Sequence, residues 1–314
     1  MREKGGGAAA PRGIRGGIIC AVSAYLIYGI MPIYMKLLAA VPPTQIMAHR
    51  VMWSVLLLAV VASAVRSWGT VGAALTTPRT LLILILTATL IGGNWLLYIW
   101  AVLHNQILET SLGFFMTPLM TVLLGVVVLR ERLRRAQALA VALAAVGVAA
   151  LAFGQSANLW ISLFLVCTFS LYGLIRKIAP IDPVCGLLIE TALLAPIAVA
   201  WLVWVTARGE GAFGVNPVDD LLLVFTGVVT ALPLLLFMEA ARRMPYSMVG
   251  PFQYIGPTLQ FLQAVLLFGE RFTRLHLFTF ACIWIGLAIF AVDGLRAARR
   301  SAAAVVAPAA RPAE

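Results

Sequence analysis

Apolar runs of roughly 20 residues follow one another along the whole chain, each closed by a short cluster of charge, proline, glycine or asparagine. A helix rising about 1.5 Å per residue needs about 20 such residues to cross the ~30 Å hydrocarbon core of a bilayer. The pattern predicts ten of them, near residues 17–40, 44–65, 80–103, 107–129, 136–153, 158–175, 184–206, 219–241, 246–268 and 275–295. Pro42-Pro43, Pro78, Pro180, Pro183, Asn216-Pro217 and Pro245 fall at or between the ends, where a missing backbone N–H costs little. The expected fold class is all-α and integral to a membrane, with ten transmembrane helices.

The runs are not ten unrelated segments. Phe115-Met116-Thr117-Pro118 leads to Glu131-Arg132, and Tyr254-Ile255-Gly256-Pro257 leads to Glu270-Arg271, 139 residues on. In both, the glutamate stands thirteen positions after the proline, and the same offset carries Gly147 onto Gly286 and Ala101 onto Ala240. The chain therefore reads as a duplicated unit of five spans, 17–153 and 157–294. An odd number of crossings turns the second copy upside down relative to the first, an arrangement common among secondary transporters.

Lys and Arg collect on the cytoplasmic side of span ends. With the N-terminus inside, the inward segments carry eighteen of the 23 basic residues, among them Arg130, Arg132, Arg134 and Arg135; the outward loops hold only Arg208, Arg271 and Arg274. Both termini are then expected in the cytoplasm, as a flexible tail over 1–16 and a disordered one over 296–314. Glu131-Arg132 falls inside and Glu270-Arg271 outside, as inverted copies require. The N-terminal basic stretch runs into an apolar segment too long for a signal-peptide core.

Composition agrees with immersion. Hydrophobic residues make up 62% and charged ones 11%, against about 25% charged in a typical soluble domain, and the mean hydropathy is +0.99. The net charge of +11 is spread over loops that face anionic lipid headgroups, so no nucleic-acid partner is called for. Cys20, Cys167, Cys185 and Cys282 are scattered singly, without metal-ligand or redox spacing, and no cofactor is expected. Nor is there a P-loop, which leaves proton coupling, exchange against a counter-substrate or facilitated export as the energetic alternatives.

Pro118 and Pro257 sit near the middle of spans four and nine, where each removes a backbone hydrogen bond in a medium without water. Each is also readable as a packing kink, but matched breaks in two halves point to a central binding site beside them. Glu131 and Glu270, at span ends beside arginines, read as local structural groups. Ala138, Ala142, Ala145 and Ala149 give span five a small-residue face suited to helix packing or to a homodimer seam.

Several strings carry a resemblance: Tyr28-Gly29 with Tyr34 and Lys36, His49-Arg50-Val51-Met52-Trp53-Ser54, Ile91-Gly92-Gly93-Asn94-Trp95-Leu96-Leu97, and Phe252-Gln253-Tyr254-Ile255-Gly256-Pro257-Thr258-Leu259. With the doubled Pro…Glu-Arg segment, residues 16 to 294 resemble the RarD branch of the EamA-type drug/metabolite transporter superfamily. The resemblance implies a multi-pass permease of the cytoplasmic (inner) membrane that works by alternating access.

Polar groups inside a bilayer are costly and are candidate functional groups by default. Two charged clusters are expected to act as gates or as static neutralising pairs: an outer one of Lys36, His49, Arg50, His104 and Glu109, and an inner one of Arg176, Lys177, Glu190, Glu239, Arg242 and Arg243. Depth reckoning separates Arg50 from Glu190 by about 12 Å along the normal, too far for a direct bridge. For substrate contact the mid-bilayer candidates are Tyr28, Asn94, Trp95, Phe115, Tyr172, Gln253 and Tyr254, aromatics with sparse amides that suit a small amphipathic organic molecule. An intramembrane enzyme lacks support: there are three histidines, no HExxH and no GxSxG. A non-transporting scaffold or regulator derived from a carrier stays open.

Overall fold

The structure, a computed structural model, describes residues 11–103, 107–154, 159–267 and 274–306. Among them all regular structure is helical: α1 (Pro11–Leu37), α2 (Pro43–Ala64), α3 (Trp68–Thr76), α4 (Pro78–Leu103), α5 (Ile107–Val127), α6 (Arg135–Gly154), α7 (Leu159–Ile178), α8 (Pro183–Ala207), α9 (Pro217–Arg243), α10 (Tyr246–Val249), a 3-10 turn (Gly250–Tyr254), α11 (Ile255–Leu266) and α12 (Arg274–Val306).

The helix starts follow the sequence signals. Pro43, Pro183 and Pro217 each occupy a first helical position, where their missing N–H would be unpaired anyway. Asp182 caps α8 by accepting from the amides of Val184 at 2.9 Å and Cys185 at 3.3 Å, and Asn216 caps α9 through Val218 N–H at 3.0 Å. Asp219 and Asp220 in the first turn of α9, with Arg242 and Arg243 in its last, complement the helix dipole.

Six helices of the described residues are long and apolar enough to cross a membrane: Gly13–Leu37, Pro43–Ala64, Pro78–Ala101, Trp160–Ile178, Pro183–Ala207 and Pro217–Arg243. Shorter apolar helices cover Gly113–Val127, Arg135–Ala150 and Leu277–Phe290. Their outer faces are apolar: Leu56, Leu82, Phe153, Ile197, Leu221 and Trp284 all lie exposed. A water-soluble protein would bury most of such side chains.

Four features depart from the sequence expectation. The ninth predicted span is broken into α10, the 3-10 turn and α11, because Gly250-Pro251 interrupts the hydrogen-bond ladder six residues before Pro257. Pro257 then falls in the first turn of α11, where proline fits, whereas Pro118 stays inside an unbroken α5. The nine-residue α3, too short to span, joins the second and third predicted spans and buries only Val71 and Ala74. Finally, α1 starts at Pro11 and α12 continues to Val306; at the latter end Ala297, Ala298 and Ala302 to Ala304 are strong helix formers.

Helices pack in a regular pattern. α6 lies along α12, and α2 along α8; α1 packs on α9 and α11, α7 on α4 and α5, α2 on α9, and α8 on α4. The broken segment crosses α5 at its proline: a β-carbon on Gly250 would stand 2.9 Å from the Pro118 carbonyl oxygen. Between α6 and α12 the approach is reciprocal, with a β-carbon on Gly147 meeting Thr279 O at 3.0 Å and one on Gly286 meeting Ala140 O at 2.6 Å. The buried face of α6 is thus Ala140, Ala144, Gly147 and Val148, while Ala138, Ala142, Ala145 and Ala149 form its exposed face.

Candidate functional site

A cavity of about 830 Å³, its mouth included, opens among α1, α2, α4, α5, α7 and α11. Tyr25, Tyr28 and Met31 come from α1, Arg50 from α2, and Asn94, Trp95 and Tyr98 from α4; Phe114 and Thr117 belong to α5, Leu165 and Phe169 to α7. The broken segment supplies Gln253, Gly256, Pro257 and Gln260. Most of this wall is aromatic or aliphatic, and its polar groups are few and separately placed.

Each polar group is held by a neighbouring helix. Asn94 donates through Nδ2 to Leu165 O at 2.9 Å and Thr168 Oγ1 at 2.8 Å, which ties α4 to α7. Pro32 has no N–H to offer the Tyr28 carbonyl one turn earlier in α1, and Gln260 Nε2 takes that place at 3.0 Å. Gln263 Nε2 bonds the next carbonyl, Gly29 O, at 2.7 Å, so α1 and α11 are clasped where α1 is weakened. Gln253 Oε1 accepts from Thr121 Oγ1 at 3.3 Å; its enclosed Nε2 and the Tyr25 hydroxyl meet no partner of hydrogen-bond geometry.

Arg50 is the charge in this wall. It is 3% exposed, donates through Nε to Thr230 Oγ1 at 2.9 Å, and holds its guanidinium 4.9 Å over the Trp95 ring. Among the described residues no carboxylate pairs with it, although a cation at a helix centre costs about 2.5 to 3.5 kcal/mol on insertion scales. A cation over an indole recovers part of that.

One turn beyond Phe169 towards the end of α7 the cavity stops. Tyr172, Phe237 and Tyr246 are fully buried there, and Tyr246 Oη donates to Ser170 O at 3.1 Å. Behind them Glu190, with no exposed surface, accepts from Thr87 Oγ1 at 2.5 Å and Tyr172 Oη at 3.2 Å, and lies 3.4 Å from Arg176 Nε. The Arg176 guanidinium reaches Asp182 O, Pro183 O and Met238 Sδ. Two links lock this end: Glu131 accepts from the Tyr246 amide at 2.8 Å, and Lys177 Nζ donates to Ala241 O at 2.7 Å and Met244 O at 3.0 Å.

Of the residues expected to contact substrate, Tyr28, Asn94, Trp95 and Gln253 meet in the cavity wall. Tyr172 faces Glu190 instead, while Phe115 and Tyr254 pack with Ala144, Val148 and Ile283 on the side of α6 and α12. Of the outer charged group, the described side chains take different directions. Arg50 turns into the cavity; His49 stacks on Phe213 at 5.2 Å; Lys36 is exposed at the end of α1. His104, the Glu109 side chain and Glu270-Arg271 lie outside the described residues. In the inner group Glu190 pairs with Arg176, whereas Glu239 pairs with Arg243 at 2.6 Å on the surface and Arg242 with Asp182 at 3.6 Å. Tyr25, Tyr98, Thr230 and Gln260 were not among the sequence candidates; Tyr25 with Tyr28 and Asn94 with Tyr98 follow helical spacing, a signal that could have found them.

Comparison with known proteins agrees with this construction. Residues 15–153 match the EamA-like transporter family. An "Uncharacterized transporter" of Vibrio cholerae is 47% identical over 284 residues, which cover 90% of this chain and 93% of that protein. Protein RarD of Escherichia coli K12 is 43% identical over 91% of this chain and 97% of its own length. The "Chloramphenicol-sensitive protein RarD" of Pseudomonas aeruginosa is 34% identical over 91% and 97%. A solved crystal structure of a protein 17% identical superposes with a TM-score of 0.68, covering 90% of this chain and 98% of its own, and so shares the fold. The chain belongs to the RarD branch of the EamA-like transporter family, a multi-pass membrane protein.

Proposed function

We propose that the protein is a secondary transporter of the cytoplasmic membrane, moving a small amphipathic organic molecule by alternating access, with the cavity around Asn94 and Trp95 as its substrate site. One observation carries the reading. The cavity forms where α1, α2, α4 and α5 meet α7 and α11, beside the break at Gly250–Tyr254, and its wall is apolar with sparse orienting groups.

In this reading the ten spans are two inverted five-helix repeats with both termini in the cytoplasm. Exchanging α1 with α7, α2 with α8, α4 with α9, α5 with the α10–α11 segment and α6 with α12 carries the main helix neighbours onto one another, the α7–α9 contact and the contacts of the short α3 excepted. The reciprocal approaches of Gly147 to Thr279 and Gly286 to Ala140 obey the 139-residue offset, which supports it at atomic scale. The buried plug of Tyr172, Phe237 and Tyr246 then closes the cytoplasmic end, and opening it requires release of the Glu131 and Lys177 links.

Flux of labelled amphipathic compounds in proteoliposomes tests the proposal. At least one compound should cross faster than in protein-free vesicles, and Trp95→Ala should lower that flux at least about 10-fold. Phe153→Ala, on the exposed face, should leave it unchanged. A carrier-derived scaffold would give no flux with any compound.

A further inference from the structure

The two buried charges of the halves are treated differently. Glu190 sits on α8 and Arg50 on α2, the second helix of each repeat, and Tyr172-Gly173 on α7 mirrors Tyr28-Gly29 on α1. Glu190 has its countercharge within the protein, Arg176, and two hydroxyl donors besides. Arg50 has a hydroxyl on Nε and a ring beneath its plane, and no countercharge among the described residues. Its two terminal nitrogens have no protein acceptor among those residues, and the side chain lines the cavity. Among the described residues no carboxylate contributes to that wall.

We propose that the counterion of Arg50 is the substrate: the cavity takes a small organic monoanion, its carboxylate or equivalent oxyanion on the terminal nitrogens of Arg50 and its apolar body among Trp95, Tyr28 and Phe169. This inference rests on the transport reading and deepens it. The chemistry is specific. With Nε bound to Thr230, the end-on pair of terminal N–H groups offers a fork that matches two carboxylate oxygens, the strongest recognition geometry available to arginine. Gln253 Nε2, which meets no acceptor of hydrogen-bond geometry among the described residues, stands in the same wall as a further donor. With no carboxylate among the described residues of the wall, a zwitterion's ammonium would enter a donor-rich, apolar site without a countercharge there.

The test uses purified full-length protein in proteoliposomes and a panel of small aryl monocarboxylates, phenylacetate, 3-phenylpropionate and indole-3-acetate, each beside its primary amide. The amide keeps the shape and removes the charge, so the comparison needs no variant. At least one acid should bind and cross with at least about 10-fold preference over its amide, at a rate that responds to an imposed membrane potential. In Arg50→Gln the preference should vanish, and Arg50→Lys should restore part of it. Acids and amides carried alike, or only neutral compounds carried, would overturn the anion assignment while leaving the transporter reading intact. Carriage of chloride alone, with no aryl acid preferred over its amide, would also overturn it. No flux of any compound would overturn both.

Discussion

Arg50 and Glu190 show how one residue's surroundings set its role. Glu190 and Arg176 are enclosed, with side chains 0% and 2% exposed, and removing one partner of such a pair strands the other. Glu190→Ala is therefore expected to cost about 3 to 5 kcal/mol, read as a large fall in Tm in detergent. Replacing the pair together, Glu190→Leu with Arg176→Met, should regain most of the loss; a single substitution without effect on Tm would contradict the buried pair. The same scale explains what the sequence could and could not reveal. Position along a helix was legible, because it follows from residue count. Direction was not. Phe114 lines the cavity and Phe115, about 100° further round α5, faces α6 and α12; Gln253 and Tyr254 differ in the same way. Asn94, Trp95 and Gln253 were found because a polar group in hydrocarbon needs a reason. Arg50 was placed with the outer charges, since nothing in its own span tells which way a guanidinium turns.

Among the elements, the α6–α12 pair gives the proposed duplication its plainest support. A side chain at Gly286 or Gly147 has backbone on the facing helix in its way. Gly286→Val and Gly147→Val should each lower Tm, by similar amounts because the two contacts mirror each other, with overpacking costing about 1 to 3 kcal/mol apiece. Loss at one position alone would contradict the reciprocal packing. The all-helical plan was readable from period and length, and six helices of the described residues are long and apolar enough to cross a membrane. The break at Gly250-Pro251 was not, because proline motifs mark where a ladder can fail, and tertiary contact decides where it does. Pro118, equivalent in sequence to Pro257, remains helical while Gly250 packs against its carbonyl.

At the scale of the whole molecule, both halves of the chain contribute to one cavity, with one end shut by Tyr172, Phe237 and Tyr246. Doubled sequence and charge bias are the ground for proposing two inverted repeats about that cavity, since each is a property of the chain as a string. The shut plug belongs to one conformation, which no string encodes. The most direct measurement is side-specific labelling of a single cysteine in the cavity wall, Met31→Cys, after replacing the four native cysteines. An impermeant maleimide should reach it from either face of the membrane. A disulfide between Gly17→Cys and Arg243→Cys, whose β-carbons stand 3.1 Å apart where α1 meets the end of α9, should abolish reaction from the cytoplasmic face and preserve it from the other. Reaction from one face only in the reduced protein, or no effect of the cross-link, would contradict alternating access through this cavity.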